Sequence, residues 1–133
     1  VGGGENHRIG LYDMILIKDN HIDYAGGVTA AITKTKEYLK AKGKNLKIEV
    51  EARTLDEIKE ILTFDVDRIL IDNFTPEETK TAVALINGKC KTESSGGITK
   101  ESIRAYAEAG VDYISVGALT HHISSLDLSL KAF

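Results

Sequence analysis

The sequence predicts a parallel (β/α) barrel, of which this chain of 133 residues would supply five strands and four intervening helices. Short apolar runs rich in β-branched residues alternate with amphipathic stretches that carry helix caps. No antiparallel hairpin signal separates the runs, so consecutive strands are joined by right-handed crossovers. Polar residues recur where the strands end. These three observations predict the elements described next in chain order.

The first third of the chain contains two strands and one helix. The apolar run "DMILIKDN" predicts a strand over 13–20. The segment "VTAAITKTKEYLKAKG" predicts a helix over 28–43, because its apolar residues fall on one side and Gly43 can end it. The run "LKIEVEA" predicts a second strand over 46–52.

A second helix and a third strand follow. Thr54 is the expected N-cap of the helix "LDEIKEIL", and Glu57 stands three residues later, as a capping box requires. The run "RILIDN" predicts the third strand, over 68–73.

The last elements begin with the segment "TPEETKTAVALING". It predicts a helix with Thr75 as N-cap, Pro76 at the first helical position and Gly88 at the end. We then expect a strand over 90–95, weak in β propensity, a helix over 99–110 and a strand over 112–118.

The position of polar residues distinguishes a barrel from a doubly wound sheet, which fits the same alternation. Lys18, Glu51, Asp72, Ser95 and Gly117 each stand at or near the C-terminal end of a predicted strand. One functional residue per strand end is typical of barrels, in which the loops after the strands converge on one face. We therefore predict the barrel, with its site on that face.

Composition excludes several classes of partner. The chain is 42% hydrophobic, and its 17 Lys and Arg residues oppose 20 Asp and Glu residues for a net charge of −3. This charge predicts no nucleic-acid partner, and no apolar run is long enough to predict a membrane segment.

The single cysteine, Cys90, cannot form an internal disulfide and is interpreted as a packed thiol in a cytoplasmic protein. Residues 1–133 are predicted to form one domain, and the start at Val1, without methionine, predicts a preceding segment.

Three cationic side chains are candidates for binding an anionic small molecule. His7 and Arg8 follow a glycine cluster, and Lys18 ends the first predicted strand. Arginine offers a fixed fork of donors to a carboxylate or phosphate, and histidine can add another. The three together suggest a dianionic ligand, whereas each alone is as well explained as a solvated surface residue. Asn20 and His21 are expected to hold the loop after the strand.

Two acids on neighbouring strands form a second candidate group. Glu51 and Asp72 would lie side by side, and two carboxylates repel each other unless a metal or cationic group lies between them. Solvated acids at a wet strand end are the alternative.

Two glycine-bearing strand ends are candidates for binding phosphate. In "ESSGGIT", small residues would expose backbone N–H groups before a helix, although a Ser-Gly-Gly turn is about as often plain loop chemistry. The segment "SVGALTHH" follows the next strand. Loops after consecutive late strands form the phosphate site of many (β/α) barrels, which favours the functional interpretation of both.

These motifs carry a family resemblance. The segments "GGGENHRIGLYDMILIKDNH", "IEVEARTLDE", "ILIDNFTPEE", "ESSGGIT" and "GVDYISVGALTH" resemble the barrel domain of quinolinate phosphoribosyltransferases, from Gly2 to the end of the chain. The resemblance implies phosphoribosyl transfer from phosphoribosyl pyrophosphate to quinolinate, with decarboxylation and with magnesium as cofactor, on the route to NAD. It also implies a homo-oligomer, a dimer or higher, whose active site a partner subunit completes.

The resemblance assigns roles to individual residues. It implies that His7, Arg8 and Lys18 bind the quinolinate carboxylates, and that Glu51 and Asp72 hold the ribose hydroxyls and the magnesium. Lys18, Glu51 and Asp72 are the implied catalytic residues. The implied 5'-phosphate ligands are Ser95, Gly96, Gly97, Gly117 and Ala118, with His121 beside them.

Two other functions remain open from the sequence. The family's N-terminal α/β domain and first barrel strand are not found in this chain, so it could be an inactive barrel fragment that only binds phosphoribose. It could also be a related phosphate-binding barrel that acts on another aromatic acid or base.

Overall fold

Five parallel strands form one sheet in the computed structural model, which describes residues 3–122 and 128–132. The strands are β1 (Met14–Ile17), β2 (Lys47–Ala52), β3 (Arg68–Asp72), β4 (Lys91–Ser95) and β5 (Tyr113–Ile114). They lie in the sheet in chain order, and every neighbouring pair is parallel. A doubly wound sheet would reverse its order at a switch point. The uninterrupted order therefore confirms the predicted partial (β/α) barrel.

Six helices accompany the sheet in the described residues. They are α1 (Asp19–Ala25), α2 (Val28–Ala41), α3 (Leu55–Ile61), α4 (Pro76–Ile86), α5 (Ile103–Glu108) and α6 (Ala118–His121). Five of them lie between strands, whereas the sequence predicts four intervening helices. The prediction was wrong because it missed the short helix α1. None of the helices within 3–122 and 128–132 has the length and apolar character to cross a membrane.

The region after β1 differs from its prediction. The strand ends at Ile17, and Asn20 and His21, expected in a loop, lie in α1. Lys18 is the extended N-cap of this helix, and its backbone N–H donates to Nδ1 of His21 at 3.0 Å. A left-handed Gly26 ends α1 after seven residues. A helix this short has too few turns for its periodicity to be read from sequence.

The predicted N-caps of α3 and α4 are confirmed, but one side chain of the capping box at α3 binds a different backbone N–H. Thr54 Oγ1 accepts from the backbone N–H of Glu57, but the Glu57 carboxylate binds the N–H of Arg53, not that of Thr54. Thr75 and Glu78 form a complete capping box, with Pro76 at the start of α4. The end of α4 is shared by two left-handed residues, the C-cap Asn87 and the predicted Gly88.

The last two elements are shorter than predicted. The helix expected over 99–110 is regular only in α5, and the strand expected over 112–118 is reduced to β5. Gly117 has helical dihedral angles and is the N-cap of α6, so the chain turns before the predicted strand is complete. At the other end of the chain, Gly2 of the glycine cluster lies outside the described residues.

The two faces of the sheet have opposite chemistry. One face packs against the helices through buried aliphatic residues such as Val50, Ile69 and Ile71, which belong to the main hydrophobic core. Because side chains alternate along a strand, the residues between them point to the other face. We call this second face, which carries Glu49, Glu51, Arg68, Asp72 and Glu93, the inner face.

Candidate functional site

The carboxyl ends of the strands bring the predicted site residues to one edge of the sheet. Lys18 directly follows β1, Glu51 is the penultimate residue of β2, and Asp72 ends β3. Ser95 ends β4 in register with Asp72. Gly117 lies after β5 and is the N-cap of α6. Parallel strands in chain order thus place these five residues along the same edge, as the sequence predicts.

Glu51 is close enough to Asp72 for the Asp72 charge to raise the pKa of the Glu51 carboxyl. Glu51 is only 7% exposed. Burial raises the pKa of the Glu51 carboxyl, the negative charges of Asp72 and Asp19 raise it further, and the Lys18 ammonium acts in the opposite direction. The strand ends therefore carry excess negative charge. Carboxylate oxygens are the ligands that Mg²⁺ prefers, so this donor set fits magnesium.

The Asp72 carboxylate is held in place on both oxygens. Ser95 Oγ donates to Oδ1 at 2.6 Å, and the Asn73 side-chain amide donates to Oδ2 at 2.6 Å. Each oxygen keeps further acceptor capacity for a ligand. Asp72 is therefore fixed in orientation while remaining able to bind a cation or a hydroxyl.

The loop after β4 requires both of its glycines. Gly96 and Gly97 have φ of 92° and 60°, in the left-handed region that favours glycine. A Cβ on Gly96 would also lie 2.2 Å from Oδ1 of Asn73, whereas one on Gly97 would meet no atom within 4 Å. The loop thus packs tightly against β3 on one side and is open on the other, which suits a backbone that a phosphate can approach.

The residues after β5 form a smaller feature beside this loop. Gly117, Ala118 and His121 are all exposed at the start and end of α6. His121 folds back toward the turn, because its Cδ2 lies 3.3 Å from the position of a Cβ on Gly117. Since β4 and β5 are neighbours, the two glycine-bearing ends are adjacent, as predicted.

The three predicted cations have different surroundings. His7 Nε2 lies 2.7 Å from Oε2 of Glu49, on the inner face two residues before Glu51. Arg8 donates to the backbone oxygen of Met14 at 3.4 Å. Lys18 is exposed at the strand ends. The His7 side chain remains 28% exposed, so a ligand on the inner face can still reach it.

A buried charged layer beneath the strand ends was not predicted from the sequence. Arg68 Nη1 lies 2.5 Å from Oε2 of Glu93 and 3.9 Å from Oε2 of Glu49, and its guanidinium stacks 4.1 Å above the Tyr113 ring. Ser115 donates to the other oxygen of Glu93. The sequence signal was the alternation in "LKIEVEA", which places Glu49 on the same face as Glu51.

The charges within this layer influence one another. Burial raises the pKa of the Glu49 carboxyl and the nearby charge of Glu93 raises it further, while His7 and Arg68 act in the opposite direction. Single ligand atoms of His7, Glu49 and Glu93 lie within 4.8 Å of one another, a spacing that a metal ion would accept. The Arg68 guanidinium, 2.5 Å from Glu93, supplies positive charge at this position.

The fold and the strand-end residues define part of a (β/α) barrel whose functional groups lie at the carboxyl ends of its strands. The sequence model of the family described as "Quinolinate phosphoribosyl transferase, C-terminal domain" matches residues 1–131, and the chain belongs to this family. The resemblance found from the motifs is thereby confirmed.

Known proteins of similar sequence and structure agree. The chloroplastic nicotinate-nucleotide pyrophosphorylase [carboxylating] of Arabidopsis thaliana is 47% identical over 98% of this chain and 42% of its own length. A probable enzyme of the same name from Bacillus subtilis is 45% identical over 98% of this chain and 44% of its own length. The structure of the Francisella tularensis nicotinate-nucleotide pyrophosphorylase superposes with a TM-score of 0.86 at 48% identity, covering 96% of this chain and 44% of that one. The chain therefore spans less than half the length of these relatives.

Proposed function

We propose that the gene product containing this chain transfers the phosphoribosyl group of phosphoribosyl pyrophosphate to quinolinate and decarboxylates the product. Nicotinate mononucleotide, pyrophosphate and carbon dioxide are formed, as a step of NAD synthesis. The observation that carries the proposal is the Glu51 and Asp72 pair, which lies beside the Ser95–Gly97 loop at the carboxyl edge of the sheet. Family membership supplies the substrates.

The acidic pair and the glycine loops are assigned to the phosphoribosyl donor. Glu51 and Asp72 would hold magnesium and the ribose hydroxyls, with the Asp72 carboxylate oriented by Ser95 and Asn73. Magnesium, when bound, neutralises the charge of the departing pyrophosphate. The two carboxylates also stabilise positive charge that develops on the ribose.

The exposed backbone of two neighbouring loops is assigned to the 5'-phosphate of the donor. The ligands would be Ser95, Gly96, Gly97, Gly117 and Ala118, with His121 beside them. Left-handed glycines allow successive N–H groups to point toward one anion, as in other phosphate-binding loops.

The cations near β1 are assigned to quinolinate. Glu49 holds His7 through Nε2, so Nδ1 is the ring nitrogen left for a substrate carboxylate. Arg8 and Lys18 would bind the carboxylates as well and orient the ring nitrogen toward the anomeric carbon. That nitrogen attacks the anomeric carbon as the bond to pyrophosphate breaks. The carboxylate at carbon 2 then leaves as carbon dioxide, the electron pair is stabilised by the cationic ring nitrogen, and carbon 2 takes up a proton.

We further propose that the active protein is a homo-oligomer, a dimer or higher, in which a partner subunit completes the site. This proposal follows from the family resemblance, which implies a site shared between subunits. A cytoplasmic location stays a prediction.

A direct assay tests the proposed reaction. The full gene product is mixed with quinolinate, phosphoribosyl pyrophosphate and magnesium, and nicotinate mononucleotide and carbon dioxide are measured. We expect both products in equal amounts, and none after chelation of the metal. Equal turnover of nicotinate would contradict the requirement for a second carboxylate, and absence of the nucleotide would contradict the reaction itself.

A further inference from the structure

Asn73 has an unusual backbone conformation immediately after the acid that ends β3. Its φ is 58°, and Asn87 at the end of α4 is the other non-glycine residue with positive φ in the described ranges 3–122 and 128–132. Side chains other than glycine adopt this region at a cost, although asparagine tolerates it best. The conformation at Asn87 is explained by a helix C-cap, whereas Asn73 caps no helix.

The contacts of Asn73 join two parts of the donor site. Its side-chain amide donates to Oδ2 of Asp72 at 2.6 Å, and its backbone N–H donates to the carbonyl oxygen of Ser95 at 3.0 Å. Its Oδ1 fills the space beside Gly96, where a Cβ would lie 2.2 Å away. Ser95 Oγ closes the ring of contacts by donating to Oδ1 of Asp72.

This ring of contacts makes the position of the Asp72 carboxylate and the position of the glycine loop depend on each other. If the Asn73 side chain is removed, Asp72 loses the donor on one oxygen, and Gly96 loses the side-chain atoms beside it while the Asn73 backbone N remains. Lys18 and His7 have no hydrogen bond to Asn73 among those of the described residues, so these proposed quinolinate-binding residues are not part of the ring.

We propose that Asn73 is a positioning residue that fixes the Asp72 carboxylate and the Ser95–Gly97 loop as one rigid unit for recognition of the phosphoribosyl donor. The proposal rests on the proposed function and assigns to Asn73 a selective effect on one of the two substrates. Substitution of a merely structural residue would lower the stability of the protein without affecting the binding of phosphoribosyl pyrophosphate more than that of quinolinate.

The test uses Asn73→Gly in the full gene product, because glycine keeps the positive φ and removes only the side chain. Loss of a hydrogen bond to a charged group predicts a rise in the KM for phosphoribosyl pyrophosphate of roughly tenfold or more. The KM for quinolinate should stay within about twofold of its value in the unsubstituted protein, since the residues proposed to bind quinolinate are not affected. Calorimetric titration with phosphoribosyl pyrophosphate and magnesium alone should show the same loss.

Asn87→Gly is the matched control, because it removes an asparagine of the same backbone conformation away from the strand ends. It should leave both KM values unchanged. Asn73→Asp provides a second test, since aspartate keeps the size and backbone tolerance of asparagine but replaces the amide donor to Asp72 with a carboxylate that repels it. We expect it to raise the donor KM selectively, and this variant decides the outcome if Asn73→Gly does not fold.

The outcomes separate this inference from the proposed function. If the unsubstituted protein turns over both substrates and Asn73→Gly leaves the donor KM unchanged, the positioning role is overturned and the function stands. An equal rise in both KM values overturns it as well. If the unsubstituted protein neither binds nor consumes phosphoribosyl pyrophosphate, the proposed function is overturned together with the inference.

Discussion

Replacing Arg68 with methionine tests whether the buried charged layer stabilises the fold. Arg68 Nη1 lies 2.5 Å from Glu93 and 3.9 Å from Glu49, and both glutamates are at most 2% exposed. Arg68→Met leaves two buried carboxylates with His7, 2.7 Å from Glu49 and 3.8 Å from Glu93, as the nearby basic side chain. Breaking a buried ion pair by removing one partner costs about 3–5 kcal/mol. At roughly 2–4 °C per kcal/mol, the unfolding midpoint should fall by about 6–20 °C.

The assay is thermal unfolding of the full gene product and its variants, followed by circular dichroism at one protein concentration so that any association is held constant. Arg104→Met is the matched control. Its 2.8 Å ion pair with Glu108 is exposed on α5, and such pairs contribute about 0.3–0.5 kcal/mol. The midpoint of this control should therefore shift by no more than about 2 °C.

A double variant separates charge from packing. Adding Glu93→Gln to Arg68→Met removes the carboxylate that the first substitution leaves unpaired, while the Glu49 pair with His7 is retained. We expect the double variant to recover about half of the decrease in midpoint temperature, because the largest uncompensated charge has been removed. A midpoint for the double variant at or below that of Arg68→Met would refute the reasoning, as would a loss for Arg68→Met no larger than that of the control.

Four further predictions follow from the same structure. Lys18→Ala should weaken quinolinate binding by on the order of 1.5–3 kcal/mol without loss of fold, and an unchanged affinity in calorimetry would contradict the assignment. Glu51→Gln and Asp72→Asn should weaken binding of phosphoribosyl pyrophosphate with magnesium more than binding of quinolinate, and equal losses would indicate a structural role. The backbone N–H and hydroxyl of Thr75 lower the pKa of Glu78, so its contribution is present above about pH 4.3 and is lost as the pH falls through the lowered pKa. Urea midpoints of the original protein and Glu78→Gln should therefore differ at pH 7 and converge once the pH falls below the lowered pKa of Glu78. The 133-residue polypeptide expressed alone should self-associate through the open edges of β1 and β5, and a monomer with a cooperative, high-temperature unfolding transition in sedimentation and calorimetry would contradict this.

The features that the sequence predicts correctly depend on local chemistry or on the two-residue period of a strand. Thr75 and Pro76 mark the start of α4 because a cap is a contact between residues three apart. Glu51 and Asp72 could be placed at strand ends because the apolar run before each of them is short and bounded. Their common edge follows from parallel pairing alone.

The features that the sequence does not predict depend on distant contacts. His7 binds Glu49, a residue 42 positions away, so its partner cannot be found from spacing. Helix α1 exists because Ile22 is buried against the core, not because its sequence is a strong helix former. The sequence predicts Arg68 only as the start of a strand, and its ion pairs with Glu49 and Glu93 follow only from a register that aligns three strands.

The chain order of the strands also bears on how the sheet assembles. β2, β3 and β4 are each connected to the next by a single helix, whereas β1 reaches β2 only after the excursion through α1 and α2. Closing a shorter loop loses less conformational entropy, so pairing of the three central strands is favoured first. These strands carry Glu51, Asp72 and Ser95, whereas Lys18 arrives with the late-joining β1. The half of the site proposed to bind the phosphoribosyl donor would thus form before the half proposed to bind quinolinate.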